Sequence, residues 1–194
     1  MLHLRQWFVR EHVGLMKLTD TYDIFDPATN TQVGIAKEEP GTLMTVLRLI
    51  IHKRMLPTKV CVYEGAQPDG QPLFSIHRGF TLFRSKVLVR GEDQSILGWF
   101  QSKLISLGGA FKIFRADGQE VAAVKGDWKG WNFTITTTAG QQLGQVTKKW
   151  GGLGKELFTS ADNYMISVSG EPDETNAILL LAAGLAVDTV YKEQ

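Results

Sequence analysis

The residues near the C-terminus constrain the fold most. Ala177-Ile178-Leu179-Leu180-Leu181-Ala182-Ala183-Gly184-Leu185-Ala186-Val187 is an apolar run of eleven residues, with Glu171, Asp173 and Glu174 before it and Asp188, Lys192 and Glu193 after it. Leu, Ala and Ile favour a helix, and acids at its start with Lys192 near its end suit the helix dipole. From Asp173 to Lys192 such a helix is about 30 Å long. It is apolar on every side rather than along one stripe, so protein or lipid must surround it. Spanning a bilayer takes roughly 20 apolar residues, and runs of about 10–14 are more often buried core helices. The expectation is therefore a helix around Ala177–Val190 enclosed by what precedes it.

What precedes it reads as short strands separated by turns. Tyr22–Phe25 and Gln32–Lys37 flank an Asp-Pro-Ala-Thr-Asn turn, and Val87–Arg90 and Ile96–Phe100 flank Gly91-Glu92-Asp93. Phe111–Phe114 and Val121–Lys125 flank Asp117-Gly118, and Phe133–Thr136 and Leu143–Lys148 flank Ala139-Gly140. Such tips between flanks that alternate apolar and polar are hairpin signals. Val60–Glu64, Leu73–His77, Thr81–Arg84 and Met165–Ser169 read as further strands, and Leu2–Leu18 supplies one or two more. About ten to twelve strands are enough to wrap a helix in a closed sheet. The fold class is thus all-β with a central helix: a closed antiparallel barrel, residues 1–194 forming one domain.

One segment breaks the pattern. From Gly41 to Leu56, Leu43, Val46, Leu47, Ile50 and Ile51 recur at helical spacing, while Arg48, His52, Lys53 and Arg54 make a basic side and Pro57 ends it. It reads either as a surface helix packed on the barrel or as an interfacial helix on anionic lipid. Twenty-one basic residues against twenty acidic ones give a net charge of +1, which implies no nucleic-acid partner. The single cysteine, Cys61, excludes an internal disulfide and any cysteine-based zinc site. Met1-Leu2-His3-Leu4-Arg5 has no secretory apolar core, so the expected location is the cytoplasm, with peripheral attachment to a membrane face as an option.

No catalytic constellation stands out. His3, His12, His52 and His77 lack metal-ligand spacing, and Gly151-Gly152-Leu153-Gly154-Lys155 lacks the spacing of a phosphate-binding loop. Two basic-aromatic clusters have a functional reading. Trp128-Lys129 at a loop tip suits a lipid headgroup region, as does Lys148-Lys149-Trp150; the competing reading is solvated surface. Trp131 and Phe133 alternate onto one face and read as core.

The stretch from Gly144 onward resembles the phospholipid scramblase family. It carries Gly144-Gln145-Val146-Thr147-Lys148, then Trp150, then Glu156-Leu157-Phe158-Thr159, then Ala161-Asp162-Asn163-Tyr164, and last the apolar helix with its Asp188. The resemblance implies the tubby-like fold, which this family is thought to share with the LURP-one plant proteins: a twelve-stranded barrel around a hydrophobic helix. It also implies lipid-related function, calcium-dependent bilayer scrambling in animal members and phosphoinositide binding in tubby proteins. The sequence departs from the animal members: it has no Pro-rich segment and no cysteine cluster for palmitoylation. Their calcium segment maps onto Asp162 and Asn163, but Ser160 replaces its first acid, and Tyr164, Ile166 and Val168 stand where oxygen ligands are wanted. Metal and cofactor are accordingly expected to be absent, with Asp162 and Asn163 as weak candidates if calcium binds.

The functional expectation is a non-catalytic module on anionic phospholipid, touching it through Arg48, Lys53, Arg54, Trp128, Lys129, Lys148 and Lys149. The alternative is a soluble scaffold or sensor that binds a protein or small ligand on the barrel surface.

Overall fold

The alternation of apolar and polar residues becomes the two faces of one curved sheet. The computed structural model describes residues 1–12, 19–47, 56–79, 86–102, 110–127, 130–148 and 163–188. Twelve strands follow one another around a closed barrel: β1 (Gln6–Glu11), β2 (Thr21–Asp26), β3 (Thr31–Glu38), β4 (Thr58–Glu64), β5 (Phe74–Arg78), β6 (Lys86–Gly91), β7 (Ile96–Ser102), β8 (Phe111–Arg115), β9 (Glu120–Asp127), β10 (Asn132–Thr136), β11 (Gln142–Thr147) and β12 (Asn163–Val168). Each strand pairs antiparallel with the next, and β12 closes on β1 through the register Trp7↔Ile166 and Val9↔Tyr164. Closure leaves no free sheet edge.

The side-chain period of two then sorts each strand. In β4, Val60 and Val62 join the central core, while Cys61 and Tyr63 pack with Ile35 in a separate small cluster on the outer face. Four pairings shift register, at Ile24/Phe25, Val89/Arg90, Ile113/Phe114 and Ile135/Thr136. All four lie beside hairpins at the same end of the barrel, where such bulges sharpen strand twist. At two of those tips Gly118 and Gly140 have φ of 91° and 84°, the left-handed geometry that favours glycine.

Helix α2 (Glu174–Ala186) fills the barrel. Every residue from Ala177 to Ala186 is buried, as are Val187 and Asp188. Burying a leucine is worth about 1.5–3 kcal/mol relative to leaving it exposed, so Leu179, Leu180, Leu181 and Leu185 are a large part of the core. The helix sits close to the wall where the wall or the helix lacks a side chain. Gly98 of β7 lies under Leu179, and Gly184 lies against Ile166 of β12. At its start Asp173 caps the helix by accepting from the Asn176 N–H at 2.8 Å. Arg115 of β8 pins that end to the rim, donating to Asp173 at 2.7 Å and to Asn176 at 3.2 Å.

The enclosed helix and the barrel around it match the expectation from the sequence. Among the described residues, no helix is long and apolar enough to cross a membrane. Ile96 is the one exposed large apolar side chain among them. The outer positions of the strands include Lys59, Arg90, Lys112, Lys125 and Gln145. Part of the expected Gly41–Leu56 helix is seen as α1 (Thr42–Leu47), and its continuation lies outside the described residues. The strand expected at Thr81–Arg84 also lies outside them.

Candidate functional site

Antiparallel succession divides the connections between two mouths. Hairpins β2–β3, β4–β5, β6–β7, β8–β9 and β10–β11 sit at the mouth where α2 begins, and the remaining connections join strands at the mouth where α2 ends. The segments that carry the expected lipid contacts connect strand ends at the second mouth. Arg48, Lys53 and Arg54 fall between β3 and β4, Trp128 and Lys129 between β9 and β10, and Lys148 and Lys149 between β11 and β12. Of these, Lys148 is described; Arg48, Lys53, Arg54, Trp128, Lys129 and Lys149 lie outside the described residues, as does Asp162.

Lys148 places its ammonium 4.3 Å above the ring of Trp131. Trp131 has φ of 47°, an uncommon backbone state for a bulky residue, and stands edge-on to Phe133 at 5.8 Å and tilted over Tyr164 at 5.3 Å. It is half-buried and packs against the core from the rim, so one aromatic stack runs from the barrel interior out to a cation at the mouth. Phe133 is fully buried, as its alternation required.

Beneath this rim the interior turns polar. Tyr22 and Tyr164 are buried near Asp188, and burial followed by the Asp188 charge pushes both phenols up, so they stay protonated. Among the described residues the Tyr164 hydroxyl has no hydrogen-bond partner. Asn163 opens β12, buried and aligned with Arg10 across the strand pair. Tyr164, Ile166 and Val168 point into the apolar core. No group of three or more metal-ligating side chains occurs among the described residues.

The same mouth carries a feature that sequence reading missed. On the outer face of β4, β5 and β6, register aligns Lys59 with His77 and His77 with Leu88, while Arg90 opposes Ser75. Lys86 lies near the rim with its ammonium 3.9 Å above the Trp99 ring. Glu39 tempers this basic face by accepting from Tyr63 Oη at 2.6 Å, Cys61 Sγ at 3.2 Å and Lys59 Nζ at 3.4 Å. Burial raises the Glu39 carboxyl, but those donors outweigh it and hold it below the usual carboxylate range. The pKa of His77 is lowered as well: burial, then the Arg90 and Lys59 charges, disfavour its imidazolium. Its Nε2 lies 2.9 Å from Ser75 Oγ. The alternation of β4 and β5 put Lys59 and His77 on outer faces; only the register shows that they are neighbours.

At the opposite mouth a pocket of about 560 Å³ opens beside α2. Leu179, Leu180, Val121 and Leu143 give it an apolar floor, and Gln119, Thr137, Thr138 and Gln141 a neutral polar rim. Its guanidinium, Arg115, is paired with Asp173 at 2.7 Å.

The family model described as Scramblase matches residues 20–194, from the start of β2 through α2 to the last residue of the sequence. No curated protein and no solved structure matches the chain.

Proposed function

The chain belongs to the scramblase family, and on that premise we propose that it is a peripheral phospholipid-binding module that docks on an anionic membrane surface with the mouth at which α2 ends. The observation that carries this reading is the Lys148–Trp131 pair, a cation held on an aromatic ring at that mouth. An indole beside an ammonium suits the interfacial region, where one end of the pair is apolar and the other wet. The strand ends that flank the other basic and aromatic segments of the sequence lie at the same mouth.

Binding, rather than conduction through the barrel, is favoured by what fills the interior. Leu179, Leu181 and Leu185 occupy it, and a headgroup moved through such a core would lose its hydration without replacement. Surface attachment leaves α2 in place.

The test is co-sedimentation of the protein with phosphatidylcholine vesicles and with vesicles containing phosphatidylserine, at low and at high salt. Each basic residue near an anionic surface contributes about 1 kcal/mol, so Lys148→Ala should weaken binding roughly fivefold, and salt should weaken it further. An absence of binding to anionic vesicles at low salt would refute the proposal.

A further inference from the structure

Between Lys59 and Lys86 the outer face of the barrel is hollow. Gly79, just past the end of β5, lines this hollow together with Lys59 and Lys86. A Cβ built on Gly79 meets nothing within 4 Å. The hollow is a pocket of about 460 Å³, with Lys59, His77 and Lys86 on its polar side and Pro40, Met44 and Leu88 as its apolar wall. Glu39, the lining carboxylate among the described residues, is already bound by Tyr63, Cys61 and Lys59. The buried Arg78 guanidinium at the back donates to Thr58 Oγ1 at 2.9 Å. Among the described residues, the surroundings of His77 are Lys59 and Glu39 on one side, Lys86 and Arg90 on the other, and Ser75 on its own strand.

We propose that this pocket binds a phosphomonoester group, with Lys59 and Lys86 as its two cationic sides and Gly79 as its floor. The shape and charge argue for this group over others. Two ammonium groups and an imidazole that gains a proton match a dianion whose second ionisation lies near pH 6. The apolar wall beside them leaves room for the carbon skeleton that carries the phosphate. The imidazole completes the site: burial, then the Arg90 and Lys59 charges, disfavour its charged form, and a bound dianion opposes that balance. The inference rests on the membrane reading only for the source of the phosphate, a lipid headgroup or a soluble ester.

The experiment follows the His77 imidazole resonances of the full chain by NMR from pH 5 to 8, assigned by their loss in His77→Gln. The soluble probes are inorganic phosphate and glycerol 3-phosphate. The lipid probe is phosphatidylcholine vesicles containing phosphatidic acid, with phosphatidylserine vesicles as the control for charge alone, and vesicle binding is read by co-sedimentation. Saturable binding of glycerol 3-phosphate that raises the His77 pKa is expected. Lys59→Ala and Lys86→Ala should each weaken it about tenfold, and Gly79→Val, which fills open space, should abolish it with the fold intact by circular dichroism. Soluble binding without vesicle binding supports the pocket and refutes the membrane reading. Phosphatidic acid vesicles that bind no better than phosphatidylserine vesicles, with no soluble binding and no effect of Lys86→Ala, overturn the pocket and leave the membrane reading standing. No response of His77 to any probe overturns the pocket outright.

Discussion

Replacing Gly184 with alanine tests how tightly α2 is enclosed. In an isolated helix the change is favourable, because glycine costs about 1 kcal/mol relative to alanine. Here the new Cβ falls 2.5 Å from Ile166 Cδ1, 2.7 Å from Cγ1 and 2.9 Å from Cγ2. Ile166 is fully buried in the barrel wall, so it escapes only by disturbing its own neighbours. Overpacking of this kind costs roughly 1–3 kcal/mol, which outweighs the propensity gain and leaves a net loss of about 1 kcal/mol. Ile166→Ala removes all three clashing atoms and alone costs about 2–5 kcal/mol. In that background Gly184→Ala should become stabilising by about 1–2 kcal/mol, since the methyl fills part of the cavity and the propensity gain survives. The two sites should therefore couple by about 2–3 kcal/mol, with the effect of the glycine change reversing sign. Urea unfolding followed by tryptophan fluorescence measures all four corners of the cycle, with equal m-values required for comparison. Additivity within about 0.5 kcal/mol, or stabilisation by Gly184→Ala in the native background, would refute the close approach of helix and wall.

Three further outcomes follow from the charged and buried groups. His77 has its pKa lowered in the folded state, so the folded protein binds fewer protons there than the unfolded chain; stability should fall as pH drops from about 6.5 toward the lowered value, and His77→Gln should flatten that part of the profile in pH-dependent urea unfolding. Asp23 shifts in the acid range: burial raises its carboxyl, but hydrogen bonds from Arg10 at 2.9 Å and His12 at 2.8 Å outweigh burial and lower it. Its contribution is therefore present above about pH 4 and lost as pH falls through the lowered value, and Asp23→Asn should remove this acid limb and cost about 1–3 kcal/mol at pH 7. Cys61 is buried, and burial followed by Glu39 pushes its thiol up to about 11, so at pH 8 a thiol reagent should label the unfolded chain and leave the native protein nearly untouched; rapid native labelling would contradict the placement of Cys61.

The barrel was legible where one face of a strand is apolar and a turn residue marks its end. Tyr22–Phe25 and Phe111–Phe114 show that alternation, and the tips at Gly118 and Gly140 supply the positive φ that a hairpin needs. Strand β1 was harder to place because Trp7, Phe8 and Val9 are all apolar. Trp7 and Val9 face the core, but Phe8 is buried on the outside, 6.1 Å from Phe25 with Arg10 over the Phe25 ring. An outer cluster of this kind erases the period-two signal. The apolar helix announced its own burial through composition alone, though not its close approach to Ile166, which depends on which residue of the wall stands opposite Gly184.

The candidate sites were less legible. Lys148 was picked out by its neighbours in sequence, yet its ring partner is Trp131, seventeen positions earlier on the other side of a hairpin. Lys59, His77 and Lys86 belong to three strands, and nothing in their spacing marks them as a group; closure of the β4–β5–β6 register makes them one. Gly79 carries no signal of its own in the sequence, and its place in the pocket wall is visible only in the fold.

The measurement that bears most directly on a scramblase-family protein whose apolar helix is its core is hydrogen exchange of α2, with and without anionic vesicles. Amides from Leu179 to Leu185 should be among the slowest in the molecule in both states, because opening them requires opening the barrel. Loss of their protection when vesicles bind would mean that the helix leaves the barrel for lipid, and would contradict both the enclosed helix and the peripheral mode of attachment.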